Sequence, residues 1–102
     1  MVMRMKSLEE VKDILARNKG ALRERFKVKE LGLFGSFVKG RQKKRSDIDV
    51  LVVFEEGYKT FDNYMDLKFF LEGILDAKVD LVLKNTLREE IKEHVLSEAI
   101  YV

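Results

Sequence analysis

Apolar positions recur at helical spacing, then alternate, then recur at helical spacing again along this chain. Leu8, Val11, Ile14 and Leu15 follow Ser7-Leu8-Glu9-Glu10, which has the form of a capping box. They predict a first helix, stopped by Gly20, with a second short helical turn over Ala21 to Phe26. Val28 to Phe34 holds a first strand, best defined from Glu30 to Phe34. Gly35-Ser36 breaks it, and Ser36 to Gly40 reads as a short helix before a loop over Arg41 to Ser46. Asp47 to Phe54 is the clearest strand, rich in β-branched residues, and Glu55-Glu56-Gly57 is a turn. Thr60 to Asp76 predicts a long helix with Phe61, Tyr64, Leu67, Leu71, Ile74 and Leu75 as its buried stripe.

The remainder repeats the alternation. Ala77 to Leu83 is a third strand, with Val79, Leu81 and Leu83 opposite Asp80 and Val82. Thr86-Leu87-Arg88-Glu89 is a second capping box, opening a helix through Leu87, Ile91 and Val95 to about Glu98. Ile100 to Val102 either adds a short strand or packs down. Strands alternating with helices predict an α/β layered fold, and 102 residues without linker or repeat predict one domain over residues 1–102.

Composition narrows the chemistry. A net charge of +2, from 20 basic and 18 acidic residues, is too small for a general polyanion binder. With no Cys there is no disulfide, no thiolate metal site and no Cys nucleophile. No signal peptide is recognisable, and no apolar run reaches the roughly 20 residues of a membrane span, so a cytoplasmic setting is expected.

The candidate chemistry lies in the acids. Side chains alternate along a strand, so Asp47 and Asp49 share one face while Ile48, Val50, Val52 and Phe54 take the other. Two neighbouring carboxylates raise each other's pKa unless a cation lies between them, and hard oxygen ligands suit Mg²⁺. Asp80 is a third acid inside an apolar strand. Placed beside the Asp47 strand, it completes a set able to hold one or two metal ions for in-line phosphoryl transfer. By themselves, Asp47 and Asp49 would read as a polar strand end and Asp80 as a partner of Lys78. The Gly35-Ser36 turn, ten residues ahead of Asp47, reverses that reading. Glycine lets backbone approach a ligand, and a serine opening a helix offers N–H and hydroxyl groups to phosphate. Taken alone, the pair is an ordinary N-cap.

Lys39, Arg41, Lys43, Lys44 and Arg45 lie between turn and acids, where they either meet a triphosphate or form a solvated loop. The loop has no interleaved aromatic residue for base stacking, which argues against direct nucleic-acid binding. His94, the single histidine, is read as structural or surface. If Phe69 and Phe70 cannot both be buried, the exposed one marks a protein interface.

Gly35-Ser36, Asp47-x-Asp49 and Asp80 in Val-Asp-Leu-Val together resemble the minimal nucleotidyltransferase family, within the DNA polymerase β-like superfamily. The resemblance implies an α+β nucleotidyltransferase fold, a small mixed sheet of three core strands with about four helices on it. It implies that Asp47 and Asp49 ligate Mg²⁺, that Asp80 helps activate the attacking hydroxyl, and that Gly35 and Ser36 hold phosphates. Lys39-Gly40 stands where members often carry Arg-Gly, which keeps the charge but loses the planar fork. Many members pair with a HEPN-domain toxin and transfer AMP from ATP to a tyrosine on it. The implied function is therefore a Mg²⁺-dependent protein adenylyltransferase acting as an antitoxin, in homo- or hetero-oligomers. An antitoxin that neutralises its partner by contact alone is the alternative.

Overall fold

A computed structural model of the chain describes residues 7–35 and 47–102. Its first helix, α1 (Leu8–Arg17), opens as its sequence predicts. The Ser7 hydroxyl accepts from the Glu10 N–H at 3.1 Å, and the Ser7 N–H donates to Glu10 Oε1 at 3.3 Å. Its end differs from expectation. Asn18, not Gly20, stops α1, its amide nitrogen donating to the Ile14 carbonyl at 2.8 Å. A short polar side chain that satisfies an end carbonyl competes with continued helix. Gly20 then falls inside α2 (Lys19–Glu24), which starts two residues earlier than expected.

Strand β1 (Val28–Phe34) pairs antiparallel with β2 (Ile48–Phe54), and β2 pairs parallel with β3 (Val79–Leu83). The connection from β2 to β3 is α3 (Phe61–Leu75), the helical crossover that a parallel pair requires. Ile100 and Tyr101 form a short β4 against Leu33 and Gly32. The mixed sheet therefore runs β3-β2-β1-β4, one short strand more than the three core strands expected. With α4 (Glu89–Glu98), the described residues contain the four helices anticipated. Among them, no helix is long and apolar enough to cross a membrane.

One sheet face makes the core. Leu31, Leu33, Val50, Val52, Val79 and Leu81 pack there with Val11, Leu15, Leu22, Phe26, Leu67, Leu71 and Leu75. The α3 stripe begins one turn later than expected. Phe61, the first helical residue, is 76% exposed. Asn63 anchors that end instead, donating to the carbonyls of Phe26 (2.8 Å) and Tyr58 (2.9 Å). Phe70 turns inward against Phe26, with ring centroids 4.9 Å apart and Arg25 over both rings. Its neighbour Phe69, pointing about 100° away round the helix, is left 60% exposed.

The free edge of β3 is covered by α3. The Tyr64 hydroxyl donates to the Leu81 carbonyl at 2.6 Å, and the Val79 N–H donates to Glu72 Oε2 at 3.0 Å. Beyond β3 the second predicted capping box does not form. Thr86 lies in a 3-10 turn (Lys84–Thr86) and its hydroxyl donates back to the Leu83 carbonyl at 2.8 Å, so α4 starts only at Glu89, without a side-chain cap. Its predicted stripe stays shallow, and Ile91 is 48% exposed. His94 is exposed beside Glu98 at 3.5 Å, a surface role as expected.

Two α3 substitutions separate core from surface. Leu67→Ala, at a fully buried site, is expected to cost about 2–5 kcal/mol in chemical denaturation. Phe61→Ala is expected to stay within about 0.5 kcal/mol of the parent.

Candidate functional site

The sheet's other face carries the acids. Asp49 of β2 stands in register with Asp80 of β3, and Phe34 is its partner on β1. Neighbouring strands lie about 4.8 Å apart, so the ladder itself sets two carboxylates side by side. Asp47 immediately precedes β2, two residues before Asp49, and so belongs to the same face. Asp47 and Asp80 are exposed, whereas Asp49 is half-buried between its neighbours.

This crowding has an electrostatic signature. Burial is the largest cause that pushes the Asp49 carboxyl up to about 6, followed by the charges of Asp80 and Asp47 and a carboxyl hydrogen bond with Asp80. The protein holds these acids together against their repulsion through backbone ladders on both sides of β2. Such a donor set fits a hard divalent cation, which would relieve the like-charge conflict. Among the described residues, no three acidic or imidazole groups already surround one point as a closed metal cage. The observation that supports a cation is thus the raised Asp49 and its two acidic neighbours.

Gly35 is bound to this arrangement in a way its sequence context did not reveal. Its φ of +78° lies in the left-handed region. A Cβ built on it would collide with the Asp49 carboxylate, whose Cγ lies only 3.0 Å from that point. The Asp49 side chain fills the place that a Cβ at residue 35 would take. Ser36, Lys39, the short helix to Gly40 and the basic residues through Arg45 lie outside the described residues.

Sequence reasoning passed over a second group on this face. Glu30, Lys84 and Tyr101 meet there, with Lys84 Nζ 3.1 Å from Glu30 Oε1 and 5.2 Å from the Tyr101 ring centroid. The residues come from β1, the 3-10 turn and β4, so no local motif announces them. The one available signal was Gly32, a glycine within a strand, which often marks a close approach.

Comparison with known proteins matches residues 15–102 to the family described as the nucleotidyltransferase domain. A Thermococcus cleftensis protein named protein adenylyltransferase MntA is 46% identical over 100 residues, covering 98% of this chain and all of that one. A solved structure provisionally named a minimal nucleotidyltransferase is 37% identical with a TM-score of 0.72, covering 88% of this chain and 93% of its own. A crystal structure of a toxin–antitoxin with AMP-PNP is 25% identical with a TM-score of 0.63, covering 89% of this chain and 68% of that one.

Two outcomes follow from the site alone. In chelator-treated protein, Asp49→Asn is expected to raise the melting temperature at pH 7.5. The folded-state value near 6 exceeds the ordinary 3.8, so the wild-type fold loses stability as pH rises from about 4 to 6. The variant's advantage should therefore vanish near pH 4, as melts across that range would show. Gly35→Ala is expected to lower the melting temperature, because strain and collision with Asp49 add.

Proposed function

The chain belongs to the nucleotidyltransferase-domain family, and from that premise we propose that it is a protein adenylyltransferase. It moves AMP from ATP to a hydroxyl, a tyrosine's, on a HEPN-domain partner, and so acts as an antitoxin. The observation that carries the chemistry is the in-register Asp49–Asp80 pair, with Asp47 close enough to add its charge. The protein-directed activity is supported by the 46% identity to a protein adenylyltransferase along almost the whole chain. The donor and the antitoxin role are supported by the toxin–antitoxin crystallised with AMP-PNP.

In this reading Asp47 and Asp49 would hold Mg²⁺, as one or two ions, with Asp80 completing the set. The metal would neutralise phosphate charge as pyrophosphate departs. The chain's own groups then do the positioning. Gly35 brings backbone close to the phosphates, and Ser36 and Lys39 add a hydroxyl and a charge to the β- and γ-phosphates. Asp80, exposed on the edge strand, accepts the proton of the incoming hydroxyl. The acceptor oxygen bonds to the α-phosphorus, the α–β bridging bond breaks, and pyrophosphate leaves on the Gly35 side. Holding the reactants in line and placing charge ahead of the reaction supply the acceleration.

Contact alone is the second reading, and the exposed Phe61 and Phe69 of α3 favour a surface that meets another protein. Mass spectrometry separates the two. Mixed with ATP–Mg²⁺ and its HEPN partner, the wild type is expected to add one or more AMP units to the partner. Asp47→Asn and Asp49→Asn are each expected to lower that transfer by about 100-fold or more. A partner that gains no mass while still being inhibited would establish neutralisation by contact.

A further inference from the structure

The strand register lays out the acid-bearing face in rows. Phe34, Asp49 and Asp80 form one row across β1, β2 and β3. Two residues along, Tyr101, Gly32, Leu51 and Val82 form the next, now including β4. Glu30 and Val53 begin a third, which Lys84 joins from the turn after β3. Rows are separated by two residues of strand, about 6.6 Å. The Glu30–Lys84–Tyr101 group is therefore a step along the same face from the carboxylates, not a remote surface feature.

Its construction is specific. Tyr101 leans across β1, and a Cβ on Gly32 would touch its ring carbons at 3.3 and 3.4 Å. Glycine at 32 is what allows the ring to lie so low over the strand. Lys84 reaches from the far side of the sheet to the ring and to Glu30. The Tyr101 hydroxyl and then the Glu30 carboxylate push the Lys84 ammonium up, so it stays charged. Gly32 along one ring edge and Lys84 5.2 Å from the centroid hold the ring, and Tyr101 remains 44% exposed. Leu51 in the same row is only 1% exposed, although it points away from the main core.

Reaction geometry gives this platform a use. In-line displacement fixes two directions at the α-phosphorus: the acceptor enters from the Asp80 side and pyrophosphate leaves toward Gly35. That axis runs across the strands. The ribose must depart at an angle to it, and the next row along the same sheet face is the one that holds Tyr101. Because Tyr101 leans over Gly32 of β1, its ring lies one row along and one strand across from Asp49, roughly 8 Å by these spacings, which is about the reach from an α-phosphate across a ribose to a base.

We propose that Tyr101 is the seat of the donor's nucleoside: the base stacks on its ring, and Glu30 and Lys84 present an acceptor and donors to the base or ribose edge. This rests on the nucleotidyltransferase reading of the acids. It adds a recognition site for the base and ribose of a nucleoside triphosphate to a site so far described only for its phosphates.

The chain contains no Trp, so Tyr101→Trp supplies a lone fluorescent reporter at the proposed seat. With Mg²⁺ present, ATP is expected to quench it saturably and inorganic tripolyphosphate is not. Tyr101→Leu keeps apolar cover over Gly32 but cannot stack. Measured by equilibrium dialysis of labelled ATP, it is expected to bind at least ~10-fold more weakly, in line with the usual worth of base–aromatic stacking. Tripolyphosphate binding should be retained, and Tyr101→Phe should restore ATP binding. Tyr101→Leu that binds ATP as tightly as wild type, or indole fluorescence of Tyr101→Trp unmoved by saturating ATP, overturns the proposal while wild-type AMP transfer leaves the enzyme reading standing. A wild-type protein that neither binds nor uses ATP overturns both.

Discussion

Everything at the acid-bearing face depends on one constraint, the parallel ladder between β2 and β3. It places Asp49 and Asp80 opposite each other, and it does so with backbone bonds that carboxylate repulsion cannot easily undo. The apolar residues that alternate with the acids, Val50 and Leu81 among them, anchor the same strands in the core. Stability and chemistry are thus divided between two faces of one sheet. The buried face supplies the free energy that keeps the other face in an electrostatically unfavourable arrangement.

The α3 crossover makes this possible. A parallel pair needs a long connection, and this one returns the chain to the starting end of β3, so both acids lie near the same end of the sheet. Gly35 then closes the arrangement from β1. Its backbone approaches Asp49 so nearly that no other side chain fits there. Asp49 is therefore confined on one side by a glycine and on the other by a second carboxylate. A group so confined has few orientations left.

Much of this was legible in the sequence because it is periodic. Alternation in Ile48 to Phe54 and Val79 to Leu83 revealed the strands, and it also revealed which face the acids would share. Neither the Gly35–Asp49 collision nor the Glu30–Lys84–Tyr101 group was legible, since both join residues from separate elements through register. Helix ends were read least well. Asn18 displaced Gly20 as the stop of α1, and Thr86 bonded backward to Leu83 instead of forward into α4. In each case a polar side chain bonded back to a carbonyl three or four residues earlier, a local bond that competes with the helix end its sequence predicts. Phe61 fits the α3 period, but periodicity does not reveal where a helix runs past the surface it covers.

The side-chain caps on β3 have a consequence for how this molecule meets others. Tyr64 and Glu72 occupy the Leu81 carbonyl and the Val79 N–H on the outer edge, and at the opposite margin β4 is only two residues long. Lateral growth of the sheet is thereby obstructed at both ends. Another polypeptide cannot readily add itself as a further strand, and copies of the chain cannot readily polymerise edge to edge. Recognition falls to side chains and surface shape, a vocabulary that can be rewritten by substitution without disturbing the hydrogen-bonded frame.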